Sequence, residues 1–494
     1  MDSPIGLPQT QELIPRSVSE LVLDQPVGRR VSAARFRSYM AMLEVLADFG
    51  TVIAAATLAY GIYSRMGEGK NLHYSHLLVF EVSAALAGVI VLMLDRVGTY
   101  SGGTSLLRVR ETEQVLRVSV QALAVAFGAS FFANSLFSRW LLVVTAGLLP
   151  LFLFVQKHFM YILVQGLHSR GYGIERVLIY GSGSTGRRVY SVLRRSPKLG
   201  LEPLAFVDEN PAKAGSTILE MGYDPRRSAP VILGPLTREL IAQYNADLVI
   251  VAIPSLQQPK LHQTLREVLA AHARVSFVPS TFLHSDSWVD FQDIDGVLLA
   301  SFSGRPRRCT YEWAKRIWDL GGAAVLLALG LPIFLLLAIL IRLDSKGPAV
   351  FRQERVGSYG RRFRMFKFRT MYVDAAPYAY SPRVPDDPRI TSLGRFLRRT
   401  SLDELPQLIN VLIGDMALVG PRPEMPFIVE EYTDQHRQRL QVKPGITGLW
   451  QLSGDRAYLI HENIEYDLYY IQHRNFFLDV AILLHTIIFA MRGI

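Results

Sequence analysis

The residue pattern predicts a multi-domain membrane protein with three parts. These are an α-helical four-span bundle, an α/β Rossmann-like domain, and a mainly α-helical C-terminal domain with a re-entrant membrane helix. Three observations predict it. Four apolar segments follow one another between residues 45 and 156, a glycine-rich turn lies between an apolar strand and a helix, and a fifth apolar segment, 320–341, is basic on both flanks. The expected boundaries are a flexible cytosolic arm at 1–43, the four membrane helices at 44–160, the α/β domain at 173–300 and the C-terminal domain at 310–494, with its re-entrant helix at 319–343.

Composition narrows the class. A chain of 494 residues is too long for one hydrophobic core and predicts two to four domains. Half of it is apolar and 19% is charged, against about 25% in soluble domains, which excludes a wholly disordered chain and argues against a purely soluble one. A single cysteine, Cys309, excludes an internal disulfide and a cysteine-rich zinc site. The 53 basic and 43 acidic residues leave +10, which points to anionic lipid, phosphate or nucleic acid as partner.

The first 38 residues are polar, carry four prolines and lack the apolar stretch of a cleaved signal peptide. Apolar segments follow at 45–64, 77–94, 118–138 and 140–156. The third is free of charge over 21 residues, enough to cross a hydrocarbon core of about 30 Å. Arginines crowd the arm, the second loop and the exit after the fourth segment, so those three are expected to face the cytoplasm.

From Glu175 the texture alternates between strand and helix. Val177, Leu178, Ile179 and Tyr180 read as a buried strand, and Gly181, Gly183 and Gly186 form the glycine pattern of a dinucleotide-binding turn. Asp208, 22 residues past Gly186, stands at the end of the next expected strand, where an acid holds a ribose hydroxyl. Two readings stand: a nucleotide-binding site, or a sheet that keeps the shape without a cofactor. Within residues 173–300 no Tyr-x-x-x-Lys pair of the sugar-nucleotide dehydratase kind accompanies the pattern, which weighs against a membrane-anchored NAD-dependent epimerase or dehydratase, the alternative function.

Segment 320–341 is long enough to span, yet arginines and lysines flank it on both sides and Pro332 sits near its middle. Positive charge at both ends and a residue that removes a helical hydrogen bond predict a helix that enters, breaks and returns. Residues 342–369 then hold nine basic side chains against two acidic ones, a patch suited to anionic headgroups. Nucleic acid is not expected, because the patch adjoins a membrane segment. Asp403 and Glu404 follow Arg398 and Arg399 at an expected helix start. Ser401 and Glu404 fit a capping box that needs no chemistry. In the chemical reading a helix N-terminus keeps Asp403 ionised, one carboxylate attacks phosphorus and the other holds Mg²⁺.

Five ordered blocks then carry a resemblance: Lys367 to Met371, Asp387 to Thr391, Thr400 to Gln407, Gly420 to Glu424, and Lys443 to Gln451. Together they resemble the bacterial sugar transferases, the monotopic polyprenyl-phosphate phosphoglycosyl transferases, and the segments before them resemble the large form of that family. The resemblance implies transfer of a sugar-1-phosphate from a UDP-sugar, UDP-glucose or UDP-galactose, to undecaprenyl phosphate. UMP is released, and the step opens exopolysaccharide, capsule or O-antigen synthesis at the cytoplasmic face of the bacterial inner membrane. By the same resemblance Asp403 is the nucleophile that forms a phosphosugar-aspartyl intermediate, and Glu404 helps bind Mg²⁺. Lys367, Arg398, Arg422 and Arg456 neutralise phosphate, and Pro332 marks the helix break, although Leu331 stands where relatives carry Ser. A homodimer is a further expectation.

Overall fold

The computed structural model describes residues 33–66, 74–100, 108–132, 138–195, 200–213, 217–219, 228–253, 256–278, 288–294, 297–303, 309–374, 387–452 and 464–491. Arg456 and most of the N-terminal arm lie outside the described residues. The chain divides into two compact units, Met1–Met42 with Tyr161–Leu283 and Leu43–Met160 with His284–Ile494.

Four helices come first: α1 (Ala33–Met66), α2 (His76–Arg96), α3 (Arg108–Phe132) and α4 (Arg139–Ser169). Segments Arg35–Met66, His76–Arg96 and Trp140–Ser169 are long and apolar enough to cross a membrane. Their outward side chains, Leu46, Leu77, Leu92 and Phe159 among them, are exposed and apolar, as lipid-facing positions are. Helix α3 differs from expectation. It begins ten residues before the apolar segment, with Arg108, Arg110, Glu111, Glu113 and Arg117 in its first turns, so its opening half is amphipathic. Inside the bundle Lys157 of α4 bonds Glu44 at 2.7 Å and Asp48 at 2.6 Å, and Tyr100 donates to Asp48 at 2.7 Å. Charges at this depth persist only when paired.

The α/β unit forms from β1 (Glu175–Tyr180), α5 (Ser184–Arg195), β2 (Leu201–Asp208), β3 (Thr217–Leu219), β4 (Ser228–Leu233), α6 (Arg238–Gln243), β5 (Leu248–Val251), α7 (Gln258–Ala270) and β6 (Arg274–Phe277). The sheet order is β3-β4-β2-β1-β5-β6, parallel except for the β3–β4 pair. Strand β1 is central. Leu178 and Tyr180 enter one core, Val177 and Ile179 the other, which is why its sequence is an unbroken apolar run.

A hairpin of β7 (Trp288–Ile294) and β8 (Val297–Ser303) leads to α8 (Cys309–Asp344). Helix α8 continues through Pro332 without an interruption in its helical course. Its segment Tyr311–Asp344 is again long and apolar enough to span. Then come the antiparallel β9 (Val350–Val356) and β10 (Arg362–Phe368), α9 (Ser392–Arg399), α10 (Gln407–Ile413), β11 (Ala417–Val419), α11 (Pro426–Glu430), β12 (Gly445–Thr447) parallel to β11, α12 (Ile464–His473) and α13 (Phe476–Met491).

Their common core joins Met365, Leu418, Tyr470, Leu478 and Ile482 to Val109 of α3. Helix α13, whose apolar helical spacing would equally suit a membrane surface, is a core helix: Leu478, Ala481 and Ile482 are fully buried. Apart from Asp479, His485 and Thr486 its residues are apolar, a pattern that does not distinguish lipid from protein interior. Thr112 of α3 lies 2.8 Å from His485 Nε2, and Asn475 donates to Glu113 at 2.9 Å, so the polar half of α3 docks on α13.

Candidate active site

Strand β10 brings Lys367 to the site. Its free edge is pinned by Asn410 of α10, which accepts from the Phe366 N–H at 2.9 Å and donates to the Arg364 carbonyl at 2.8 Å. Thr391 caps α9 by accepting from the Gly394 N–H at 3.0 Å. Gly394 is required there: a Cβ would stand 2.1 Å from the Thr370 carbonyl oxygen.

After α9 the chain reverses at Ser401, whose φ of 56° is left-handed, a conformation that non-glycine residues adopt at a cost. A single 3-10 turn, Leu402–Glu404, follows. Leu402 and Leu405 pack against Phe368 and Leu397. Asp403 and Glu404, about 120° apart on a three-residue turn, then have different surroundings. The capping box expected here does not form. Ser401 makes no side-chain cap bond, and Glu404 Oε1 instead takes Lys367 Nζ at 2.9 Å and Arg422 Nη1 at 3.2 Å.

Asp403 is buried, 8% exposed, and burial pushes its carboxyl above the ordinary value, with Lys367, Arg398 and Arg422 opposing and Glu404 adding to the rise. This reverses the expectation that a helix N-terminus holds it low. A one-turn 3-10 segment has almost no macrodipole to offset desolvation. Lys367 is lowered by burial, against the pull of Glu404, with Arg422 adding to the fall. Burial lowers Arg398 as well, whereas Arg422 is raised because Glu404 and Glu424 outweigh its burial. Lys367, Arg398 and Arg422 thus all act on the Asp403–Glu404 pair. Three cations against two carboxylates leave a surplus of one positive charge for an anionic substrate.

Mg²⁺ commonly takes one or two carboxylates and completes its shell with water and substrate phosphate. Glu404, with Asp403 beside it, is a donor set of that kind. Among the described residues no cluster of three or more His, Cys, Asp or Glu offers a richer cage.

In the α/β unit the three glycines have separate tasks. Gly181 has φ +107°, and a Cβ on Gly186 would stand 1.9 Å from the Gly181 carbonyl oxygen, so one makes the turn and the other permits close helix packing. A Cβ on Gly183 meets nothing within 4 Å. Asp208 is already engaged: Oδ2 accepts from Ser182 N–H at 2.9 Å, Ser182 Oγ at 2.6 Å and Lys213 Nζ at 3.1 Å, and Oδ1 accepts from Asn210 N–H at 2.9 Å. Burial raises this carboxyl, but those bonds outweigh it and hold it well below the usual range.

Sequence reasoning assigned no role to Asn410 or Arg439, and it counted Arg355 in the basic patch for headgroups, whereas Arg355 is buried. Asn410 carried a signal, a lone amide inside the apolar run Leu408 to Leu412. The two arginines were not distinguishable from the many other basic residues.

The family described as bacterial sugar transferase matches residues 310–493, and one described as CoA-binding domain matches residues 96–279. The undecaprenyl-phosphate galactose phosphotransferase of Salmonella typhimurium is 31% identical over 400 residues, covering 76% of this chain and 80% of that protein. The UDP-glucose:undecaprenyl-phosphate glucose-1-phosphate transferase of Escherichia coli is 28% identical over 470 residues, 93% of this chain and 97% of that one. Its namesake in Klebsiella pneumoniae is 32% identical over 360 residues, 71% and 74% of the two chains.

Proposed function

This chain belongs to the bacterial sugar transferase family, and we propose that it transfers glucose-1-phosphate or galactose-1-phosphate from the UDP-sugar to undecaprenyl phosphate. The observation that carries the reading is one buried carboxylate, Asp403, beside Glu404 and a cationic set of Lys367, Arg398 and Arg422.

An oxygen of Asp403 attacks the β-phosphorus of the UDP-sugar. The bond from that phosphorus to the bridging oxygen breaks, and UMP leaves with the electron pair. The phosphosugar is then held on Asp403 as a mixed anhydride. An oxygen of undecaprenyl phosphate attacks the same phosphorus, Asp403 departs as carboxylate, and the lipid diphosphate sugar is released. Burial leaves Asp403 poorly hydrated and therefore reactive, while Lys367 and Arg422 orient Glu404 and neutralise phosphate oxygens. Glu404 would hold Mg²⁺, which would supply charge neutralisation at the diphosphate.

The reading places the catalytic domain at the cytoplasmic face of the inner membrane, with both ends of α8 held on that side. Ala323 near one end of α8 packs in the core with Met365 and Leu418, while Leu337 and Ile341 near the other pack on Phe368 and Leu397. Eighteen residues, about 27 Å of helix, separate these contacts, yet both are made with the same domain. Between them Leu329, Ile333 and Leu336 are exposed. The glycine-rich domain is read as a sheet of the nucleotide-binding type with open space over Gly183.

The test is direct. Membranes containing the protein are incubated with UDP-glucose or UDP-galactose, undecaprenyl phosphate and Mg²⁺. UMP is expected from one of them, dependent on the lipid and absent in Asp403→Asn. Release of UDP in place of UMP would overturn the reaction.

A further inference from the structure

Arg422 reaches the carboxylates from a segment with unusual backbone demands. Pro421 and Pro423 flank it, so two of the segment's amides have no N–H to donate. Its carbonyls are engaged instead, all four in succession. Pro421 O accepts from Gly445 N–H at 2.9 Å, and Glu424 O accepts from Val356 N–H at 2.9 Å. Between them Arg422 O accepts from Arg439 Nη2 at 3.1 Å, and Pro423 O accepts from Arg355 Nη1 at 3.3 Å.

The two guanidiniums are themselves fixed from behind. Arg439 is 3% exposed, its Nε donates to Asp467 at 2.6 Å and its Nη1 to the Tyr432 hydroxyl at 2.5 Å. Arg355 is 8% exposed, and its Nη2 donates to Gln353 at 2.7 Å. Glu424 Oε2, 3.8 Å from Arg355, supplies a counter-charge. A buried guanidinium is expensive to desolvate and is a weak choice for stability alone. Its advantage is a rigid planar fork that serves several acceptors at fixed angles, which an ammonium does not offer.

We infer that Arg355 and Arg439 are positioning residues, a pair of buried guanidiniums that clamp the Arg422 and Pro423 carbonyls so that the Arg422 side chain is held toward Glu404 and the substrate phosphates. Both are buried, and each bonds a carbonyl of this segment. They act through Arg422, and in this respect the inference rests on the transferase reading above.

The experiment uses the full chain in lipid particles, with Arg355→Lys, Arg439→Lys, Arg422→Ala and the double variant Arg422→Ala/Arg439→Lys. Lysine keeps each charge and loses the fork. A displaced phosphate-binding group costs about ten- to a hundredfold, so each lysine variant should lose that much in kcat for UMP release, with a smaller rise in KM for the UDP-sugar. The double variant should be no slower than Arg422→Ala beyond about twofold, because a clamp has nothing to hold once its side chain is gone. Losses that multiply would overturn the inference, as would full activity in both lysine variants. Hydrogen exchange without substrate gives an independent reading. The Gly445 and Val356 amides, which donate into the same segment, should exchange faster in Arg439→Lys and Arg355→Lys than in the wild type. Unchanged exchange contradicts the clamp. Absence of UMP from the wild type with every UDP-sugar contradicts the transferase reading instead, and the exchange result still decides the clamp.

Discussion

Asn410→Ala probes the joint between the sequence's least conspicuous residue and the site. Asn410 is fully buried and makes two hydrogen bonds to the free edge of β10. Alanine leaves the Phe366 N–H and the Arg364 carbonyl facing a space without partners. Each stranded polar group costs roughly 1–3 kcal/mol, so the pair predicts a loss of about 3 kcal/mol. For a domain of this size, about 2–4 °C of melting temperature goes with each kcal/mol, which gives a fall of roughly 6–12 °C. Lys367 follows Phe366 directly and bonds Glu404 at 2.9 Å, so a loosened strand should also raise KM for the UDP-sugar. Asn410→Asp keeps the acceptor for Phe366 but loses the donor and sets a charge against the Arg364 carbonyl, so it should be at least as damaging. The assay is thermal unfolding of the full chain in lipid particles, paired with UMP release. A melting temperature within about 1 °C of wild type would refute the claim that Asn410 pins the strand.

Three further outcomes follow from the same structure. The Asp403 carboxyl is raised in the folded state, so its protonated form favours folding, and that contribution fades as pH rises through the folded value. The rate of UMP release should therefore climb with pH along a limb lying above the ordinary carboxylate range, and Asp403→Asn should melt higher than wild type while inactive; a limb at the ordinary value contradicts this. A fragment of residues 305–494 loses α3, whose Val109 is 3% exposed in the shared core and contributes roughly 1.5–3 kcal/mol. In lipid particles it should still release UMP but melt lower than the full chain, and equal stability would show that α3 is no part of the catalytic core. Single cysteines at Lys315 and Lys346 in a Cys309→Ser chain should both be labelled from the cytoplasmic side alone, whereas labelling of either from outside shows a crossing.

The parts legible in the sequence are those where a local pattern has one structural meaning. The apolar run Val177 to Tyr180 became the central strand of the α/β sheet, and Gly181 and Gly186 took the turn and the close contact that the motif demands. Lys367 and Arg422 stand 37 and 18 residues from Glu404 in the chain, and both bond it. Patterns with two meanings were the ones that failed. Ser401 and Glu404 had capping-box spacing, but Ser401 is left-handed and two cations take the Glu404 carboxylate. The apolar residues of α13 fitted lipid as well as a core, and the core took them. Asp208 sits at the ribose-binding position, yet Ser182 and Lys213 occupy its oxygens. Arg355 and Arg439 had no local pattern at all, because their partners are carbonyls 68 and 17 residues away.

The central claim is that Asp403 itself bonds phosphorus, and capture of the intermediate tests it most directly. The full chain is mixed with the UDP-sugar and Mg²⁺ without lipid acceptor, quenched in acid, digested and read by mass spectrometry. The account predicts a hexose-phosphate adduct on the peptide containing Asp403. It should appear together with one equivalent of UMP, disappear when undecaprenyl phosphate is added, and be absent from Asp403→Asn. A wild type that turns over rapidly without ever showing the adduct, or an Asp403→Asn chain that still releases UMP, would contradict it.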